Sequence, residues 1–238
     1  MQRYFGEIIN NKIVLNDDEK HHLLHVMRAD VGDKIEVVSN EKLFVGEIKC
    51  CSPLNIEIIK ECVCDVELKS DVTLFFAISK GDKNDFIVQK ATELGVKNIV
   101  FINTKRCISK FDGKEDKKLA RFCKIAKEAS EQSHRLVIPN VTGPIDLKNI
   151  NKEMLSEYNF VAYEKESCNI ENMILMNSKP KSVSIFIGPE GGFEENEIKF
   201  LNSLGIKSIS LGKRILRCET AAVSALSILG YLLEKNYE

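Results

Sequence analysis

The sequence predicts an α/β protein in two parts: a small strand-rich domain over residues 1–70 and a larger domain with a mostly parallel sheet over residues 71–238. Two observations favour this division. Short apolar or alternating runs bounded by turn residues fill the first part, which is typical of strands. Beyond residue 71, apolar strand-like runs alternate with amphipathic stretches, which indicates βα units and a parallel sheet.

Four runs in the first 70 residues are predicted to be strands, and one stretch is predicted to be a helix. The strands are expected at 12–15, 34–38, 43–48 and 55–59. The helix follows the first of these runs and is expected to begin at an N-cap residue, Asp17 or Asp18. Leu23, Leu24 and Met27 form its apolar stripe. Short strands packed in this way predict a small β-barrel.

Five strands and four helices are predicted in the second domain. The strands are expected at 72–78, 98–102, 160–163, 183–187 and 208–211. The helices are expected at 83–94, 117–133, 195–204 and 221–234. The last helix is apolar on nearly every side, which indicates that it is buried or lies in a subunit interface.

The composition excludes several classes of protein. Apolar residues make up 44% of the chain and charged residues 29%, a balance typical of globular proteins. The longest apolar stretch, 221–233, is shorter than the roughly 18 residues that a membrane span needs, and residues 1–7 contain no apolar signal region. We therefore expect a cytoplasmic protein whose eight cysteines are reduced. No metal site is expected, because Cys50-Cys51 and Cys62-x-Cys64 lack the spacing of zinc ligands.

Charge is distributed unevenly along this chain, whose net charge is −1. Residues 103–135 carry ten Lys and Arg residues against five Asp and Glu residues. A local basic surface on a nearly neutral protein favours a selective site for a polyanion over indiscriminate binding. A merely solvated face is the alternative interpretation.

The strongest sequence signal is a glycine-rich turn between the predicted strand 183–187 and the predicted helix 195–204. It reads Ile187-Gly188-Pro189-Glu190-Gly191-Gly192-Phe193. Glycines permit positive φ and close backbone approach, and open α/β sheets bind ligands at the carboxyl ends of their strands. The turn is neither G-x-G-x-x-G nor a P-loop, so a dinucleotide or ATP phosphate site is not indicated. A purely structural turn is the alternative.

A second loop joins the last predicted strand to the last helix. It reads Leu211-Gly212-Lys213-Arg214-Ile215-Leu216-Arg217-Cys218-Glu219-Thr220-Ala221. Its charged residues lie where the strand ends and the helix begins, the position of a ligand site in such sheets. Ion pairs at the helix end are the alternative interpretation.

Five further motifs accompany the two loops. They are Arg3-Tyr4-Phe5, His21-His22-Leu23-x-x-Val26-x-Arg28, Lys80-Gly81-Asp82-Lys83, Gln89-Lys90-Ala91-Thr92-Glu93-Leu94-Gly95 and Glu131-Gln132-Ser133-x-Arg135. In this order the chain closely resembles the ribosomal RNA small subunit methyltransferase E family over its whole length. The resemblance implies a SPOUT-type parallel sheet with a C-terminal trefoil knot, preceded by a PUA-like β-barrel. It also implies S-adenosylmethionine as cofactor, a homodimer packed through the last helix, and methyl transfer to N3 of one uridine in 16S rRNA.

The resemblance and the loop positions together give candidate site residues. For the cofactor they are Tyr163, Glu164, Ile187, Gly188, Pro189, Glu190, Gly191, Gly192, Leu211, Gly212, Arg214, Ile215, Leu216, Thr220 and Ala221. For RNA they are Arg3, His22, Arg28, Lys80, Lys83, Arg106, Arg121, Lys124 and Arg135. Uridine N3 is a poor nucleophile until its proton leaves. Glu219, or Glu190 in its place, is expected to accept that proton, and Arg217 is expected to stabilise the developing charge.

Three other functions stay open from the sequence. An enzyme of the same fold could methylate a ribose 2′-hydroxyl instead of a base. A noncatalytic RNA-binding adaptor would use the glycine turn only structurally. A nucleotide-binding oxidoreductase is disfavoured because its glycine fingerprint is missing.

Overall fold

The structure, a computed structural model, describes residues 1–109, 111, 113–166 and 179–235. The chain forms two compact units. One comprises Met1–Glu67 together with Ser130–Val137, and the other comprises Leu68–Ala129 together with Ile138–Glu238. The segment 130–137 is therefore part of the N-terminal unit although it lies far along the chain, which local sequence patterns cannot reveal.

The N-terminal unit is built on a curled six-stranded sheet. Its strands are β1 (Arg3–Phe5), β2 (Glu7–Ile9), β3 (Lys12–Val14), β4 (Lys34–Ser39), β5 (Lys42–Cys51) and β6 (Leu54–Cys62). They lie in the order β1-β4-β5-β6-β3-β2, with β1 parallel to β4 and the other pairs antiparallel. Register shifts on β5, between Val45 and Gly46 and between Ile48 and Cys50, increase its twist. The four predicted strands of this unit are confirmed, whereas the short β1 and β2 were not foreseen.

One short helix, α1 (Asp17–His21), follows β3 and continues as a π-helical turn over His22–Val26. The predicted N-cap was wrong by one residue. Asn16 caps the helix, because its side-chain oxygen accepts the Glu19 amide at 2.9 Å, while the Glu19 carboxylate accepts the Asn16 amide at 3.4 Å. This reciprocal pair is a capping box. The predicted apolar stripe is confirmed only at Leu23, which is buried in the core of this unit, because Leu24 is half-buried and Met27 is 48% exposed.

The second unit is built on a six-stranded parallel sheet. Its strands are β7 (Asp71–Ala77), β8 (Asn98–Asn103), β9 (Asn140–Asp146), β10 (Tyr158–Ala162), β11 (Ser182–Ile187) and β12 (Lys207–Ile209). They lie in the order β12-β10-β11-β7-β8-β9. The helices are α2 (Lys83–Glu93), α3 (Glu115–Gln132), α4 (Glu195–Ser203) and α5 (Cys218–Lys235). The predicted α/β class with a parallel sheet is thus confirmed.

Both faces of the parallel sheet are covered by apolar side chains. On β7, Leu74 and Phe76 belong to one cluster of buried residues, and the intervening Phe75 belongs to another. Continuous apolar runs are the signature of such doubly covered strands. This explains why β7, β8 and β11 were visible in the sequence. The strand β9 was not predicted, because Gly143 and Pro144 inside it are residues that normally interrupt strands.

The last helix, α5, contributes one side to the core of the second unit. Ala222, Ala225 and Leu229 are buried there, whereas Tyr231 is 64% exposed. In the part of the chain that the structure describes, no helix has the length and apolar character to cross a membrane.

Candidate active site

The carboxyl ends of three neighbouring strands open into one cavity. The strands β12, β10 and β11 are adjacent in the sheet and parallel, so the segments that follow them meet at one edge. The cavity has a volume of about 550 Å³. Its lining comprises Lys83, Ala162, Tyr163, Glu164, Ile187, Gly188, Pro189, Glu190, Gly191, Gly192, Phe193, Ser210, Leu211, Gly212, Lys213, Arg214, Ile215, Leu216, Arg217, Cys218 and Ala221.

Two hydrogen bonds, one within the turn and one from a residue outside it, hold the glycine-rich turn after β11 in place. Within it, the amide of Gly192, at φ +67°, donates to the carbonyl of Pro189 at 2.9 Å. From outside, the guanidinium of Arg106 donates to the carbonyl of Gly191 at 2.8 Å. A Cβ atom on Gly191 would lie 3.2 Å from Cβ of Arg106, closer than most real contacts. The turn therefore presents its backbone to the cavity with little room for a side chain behind it.

The loop after β12 also depends on a glycine. Gly212 adopts φ +113°, and its amide donates to the Ser210 hydroxyl at 3.2 Å. A side chain would be strained at this φ whatever the space around it. Ile215 at the tip of the loop is 89% exposed, unusual for a large apolar residue. A ligand or a partner molecule that covers Ile215 would remove this surface from water.

A charged cluster lies beside the cavity, centred on Lys83 at the first turn of α2. The Lys83 ammonium is 3.0 Å from Oε1 of Glu190 and 3.5 Å from Oε2 of Glu219. The Lys80 amide also donates to Glu190, at 3.3 Å. Behind the cluster, the Cys218 thiol donates to Glu219 at 3.1 Å. One cation thus holds two carboxylates that come from two different loops.

The cluster keeps its two carboxylates and its ammonium group charged at neutral pH, and its thiol neutral. Burial works to raise the pKa of Glu190, but hydrogen bonds from its own amide and from Lys83 outweigh it and hold the pKa below the usual value. The pKa of Glu219 is lowered in the same way, burial being outweighed by the Cys218 thiol, its own amide and Lys83. The hydrogen bond to Glu190 raises the pKa of Lys83. Burial raises the pKa of the Cys218 thiol, which therefore stays protonated.

The cavity fits an organic ligand better than a metal ion. Its volume falls in the range of about 300–1,000 Å³ that is typical of small-molecule sites. Ile187, Leu211 and Leu216 supply apolar walls, and the glycines leave backbone amides and carbonyls accessible. Among the described residues, no group of three or more His, Cys, Asp or Glu side chains is placed to hold a metal.

Comparison with known proteins identifies the family. The RNA methyltransferase domain family matches residues 66–230, and the RNA methyltransferase PUA domain family matches residues 15–49. Ribosomal RNA small subunit methyltransferase E of Bacillus subtilis is 36% identical over 98% of each chain. The chain belongs to the ribosomal RNA small subunit methyltransferase E family. The member from Mesomycoplasma hyopneumoniae is 37% identical over 95% of this chain and 98% of its own.

Solved structures of the methyltransferase E family share this fold. The enzyme from Neisseria gonorrhoeae, solved bound to S-adenosyl methionine, is 30% identical and has a TM-score of 0.88 over 98% of each chain. The small curled sheet followed by the parallel sheet is therefore the PUA-like and SPOUT-type arrangement that the sequence resemblance implied.

In this member of the methyltransferase E family, nearly all the residues predicted to bind cofactor line the one cavity. Thr220 is the exception: it lies exposed in the first turn of α5 and is not among the lining residues. Six further lining residues were not predicted for the cavity: Lys83, Ala162, Phe193, Ser210, Lys213 and Cys218. All of them except Lys83 adjoin predicted residues, so extending each motif by one position would have found them.

The two predicted catalytic residues are placed differently. Arg217 lines the cavity and is exposed. Glu219 is not among the lining residues; its carboxylate is 3.5 Å from the Lys83 ammonium, and 19% of its side chain is exposed. Glu190, which was weighed as the alternative base, does face the cavity.

The predicted RNA-binding residues of the N-terminal unit fall into two groups. Arg3 and Arg135 are each only 4% exposed. Arg3 pairs with Glu36 at 2.7 Å, and Arg135 pairs with Glu67 at 2.6 Å. These two arginines are buried in ion pairs inside the N-terminal unit, which indicates a structural role.

The other two lie nearer the surface. His22 is half-buried and within 3.0 Å of the Tyr4 hydroxyl, whereas Arg28 is exposed.

The predicted RNA-binding residues of the second unit lie mostly at its surface. Lys80 and Lys124 are exposed. Arg121 is exposed and pairs with Asp85, while Arg106 supports the glycine turn. Lys83 is committed to the carboxylate cluster. Sequence alone separates none of these roles, because the type of side chain is the same in each.

Proposed function

We propose that this protein transfers a methyl group from S-adenosylmethionine to N3 of one uridine in 16S rRNA. The observation that carries the proposal is that the two family motifs, the turn Gly188–Gly192 and the loop Leu211–Leu216, line the same cavity. Membership of the methyltransferase E family supports it, as does the Neisseria gonorrhoeae relative bound to S-adenosyl methionine.

The residues of the cavity suit this cofactor. The adenosine part is flat and neutral, and it matches the apolar walls at Ile187, Leu211 and Leu216 together with the glycine backbone. Its positive charges match the carboxylates of Glu164 and Glu190, which line the same cavity. S-adenosylmethionine, when bound, supplies a methyl group activated by a positively charged sulfur. No phosphate of the cofactor needs binding, in keeping with the absence of a P-loop in the sequence.

The chain contributes orientation and shielding from water. A methyl displacement is fast only when carbon and nucleophile are held in line. Two loops fixed by glycine geometry on a rigid sheet supply that position. N3 also lies on the pairing edge of uracil, so the target base must be unpaired or turned out of its helix to reach the cavity.

Glu219 could either accept the N3 proton or hold Lys83 in place. The sequence-based hypothesis makes Glu219 the base that accepts the proton, and it stays a prediction. Glu219 does not line the cavity and its pKa is lowered, which makes it a weak base. These observations favour a role for Glu219 in holding Lys83 in place. Arg217, which does line the cavity, remains the proposed stabiliser of negative charge.

The remaining parts of the proposal concern partners. We expect a homodimer formed through the outer side of α5, where Tyr231 is exposed. We expect the N-terminal unit to bind rRNA through Arg28, and the second unit through Lys80, Arg121 and Lys124.

The protein would act in the cytoplasm, where its ribosomal substrate is found. The trefoil knot implied by the family resemblance stays a prediction.

The decisive experiment is nucleoside analysis after reaction. Small ribosomal subunits that lack the modification are incubated with the protein and labelled S-adenosylmethionine, and the digested rRNA is separated by reverse-phase chromatography and mass spectrometry. The expected product is N3-methyluridine. A ribose-methylated nucleoside would favour the 2′-O enzyme instead. RNA binding without cofactor binding in equilibrium dialysis would favour the noncatalytic adaptor.

A further inference from the structure

The chemistry of N3 methylation places a constraint on any base. The proton of uridine N3 lies in the plane of the ring, and the electron pair it leaves behind is the pair that must attack the methyl carbon. A carboxylate lying on that line would occupy the place of the methyl group. The proton must therefore leave before the transfer, and the resulting anion must persist until the methyl carbon is reached.

The anion of uridine carries much of its negative charge on the two carbonyl oxygens beside N3. A hydrogen-bond donor fixed against one of these oxygens stabilises the anion and raises the fraction of uridine that is ready to react. Besides Arg217, a second cationic donor in the cavity would add to this stabilisation if it is held rigidly and is not fully occupied by protein acceptors.

Lys83 meets these requirements. An ammonium has three N–H donors. In the part of the chain that the structure describes, the Lys83 ammonium has two carboxylate partners, Glu190 at 3.0 Å and Glu219 at 3.5 Å. The third donor is left for a ligand in the cavity that Lys83 lines. Two carboxylates from separate loops also restrict the swing of this long side chain.

We infer that Lys83 is a catalytic residue that donates a hydrogen bond to a carbonyl oxygen, O2 or O4, of the target uridine and stabilises the N3 anion. This inference rests on the proposed function and assigns Lys83 a role other than the phosphate contact expected from the sequence. The N3–H bond breaks first and the proton passes to water. The N3–CH₃ bond then forms as the S–CH₃ bond breaks, and the sulfonium becomes a neutral thioether.

The groups around Lys83 fit this assignment. The titratable groups that act on its ammonium are the carboxylates of Glu190 and Glu219 and the thiol of Cys218. Near neutral pH the carboxylates are ionised and the thiol is protonated. Their charges therefore stay constant near neutral pH, so a rise of rate with pH in that range reports the ionisation of N3.

The test compares Lys83→Met with the wild type on two substrates. Small subunits are assembled from 16S rRNA transcribed with uridine or with 5-fluorouridine, whose fluorine makes N3 more acidic. On uridine we expect the single-turnover rate of Lys83→Met to fall by about 10²–10³-fold, the usual effect of losing one donor to a developing anion. At a pH above the N3 pKa of 5-fluorouridine, the loss on that substrate should be at least about tenfold smaller, because its N3 is then ionised without help from Lys83.

Controls separate this role from a structural one. Lys83→Arg keeps a cationic donor and should retain more activity than Lys83→Met. Lys97→Met removes a matched lysine that pairs with the exposed Asp71 and should leave both rates unchanged. Calorimetry should find the affinity of Lys83→Met for S-adenosylmethionine within about threefold of the wild type, because the inferred contact is to the uridine.

Two results would overturn the inference. One is a rate for Lys83→Met within about threefold of the wild type on uridine. The other is an equal loss on both substrates at every pH, whatever happens to cofactor affinity. Failure of the proposed function would be seen separately, as a wild-type protein that makes no N3-methyluridine.

Discussion

The guanidinium of Arg106, which is not among the residues that line the cavity, donates to the carbonyl of Gly191 in the glycine turn at 2.8 Å. The turn is therefore fixed by a residue that need not touch the ligand. Replacing Arg106 with Met should weaken binding of S-adenosylmethionine by about fivefold, the equivalent of roughly 1 kcal/mol for one partly exposed hydrogen bond. Isothermal titration calorimetry measures this directly. Arg121→Met, which removes an exposed arginine paired with Asp85, should leave the affinity unchanged; equal affinities for all three proteins would contradict the supporting role.

The contact between the Glu219 carboxylate and the Lys83 ammonium, at 3.5 Å, leads to a prediction for Glu219→Gln. A general base is worth about 10²–10⁴-fold in rate. Because Glu219 does not line the cavity, we expect its replacement to lower the single-turnover rate by less than about tenfold, with cofactor affinity preserved. A loss of a hundredfold or more at unchanged affinity would restore the sequence-based hypothesis that Glu219 is the base.

Two glycines of positive φ allow the effect of backbone strain on stability to be separated from an effect on ligand binding. Gly212, at φ +113°, lines the cavity, whereas Gly205, at φ +91°, lies at the end of α4 and does not. Among the described residues, nothing lies within 4 Å of a Cβ added to either. Alanine at either position should therefore cost about 1–3 kcal/mol of stability, through the backbone alone. Thermal unfolding should detect both losses, while calorimetry should find weaker cofactor binding only for Gly212→Ala.

The exposed side of α5 gives a test of the proposed dimer. Tyr231 is 64% exposed on a helix whose other side is buried. A carboxylate placed in a subunit interface is costly unless it is paired, so Tyr231→Asp should shift the protein toward monomer in sedimentation velocity. Val63→Asp changes a fully exposed apolar residue of the N-terminal unit and should have no such effect. A wild-type protein that sediments as a monomer at micromolar concentration would contradict the dimer itself.

Binding to rRNA should depend steeply on salt. Each phosphate neutralised by a Lys or Arg contributes to the slope of log K against log salt concentration. Arg28→Gln and Lys124→Gln should each weaken binding and reduce that slope by about one. Filter binding at several salt concentrations gives the slopes. Lys42→Gln, at an exposed lysine paired with Glu61, is the matched control, and equal slopes for all four proteins would exclude Arg28 and Lys124 from the RNA surface.

Much of the candidate site was predictable because it depends on strand order. The glycine turn and the loop Leu211–Leu216 each follow an apolar strand, and parallel strands bring such loops to one edge. Only the motif residues, and no knowledge of side-chain contacts, were needed to place them there.

What could not be predicted depends on contacts between distant parts of the chain. Nothing in the sequence distinguishes Arg3 and Arg135 from arginines at the surface. In the structure both are buried, where Arg3 pairs with the carboxylate of Glu36 and Arg135 with that of Glu67. The role of Lys83 was hidden for the same reason, since its partners lie 107 and 136 positions away along the sequence. Ion pairs between such distant residues produce no helix-like or strand-like periodicity in the sequence, so the sequence does not reveal which charged side chains are buried.

The interleaving of the two units limits how this protein can be divided. A fragment ending at Glu67 would lack residues 130–137, which belong to the same unit. Arg3 would lose the His134 carbonyl, and Glu67 would lose the Arg135 guanidinium. Unpaired charges of this kind are costly inside a folded unit. The PUA-like part therefore cannot be expressed alone or fused to another protein as a continuous fragment. Residues 130–137 would have to be included with it.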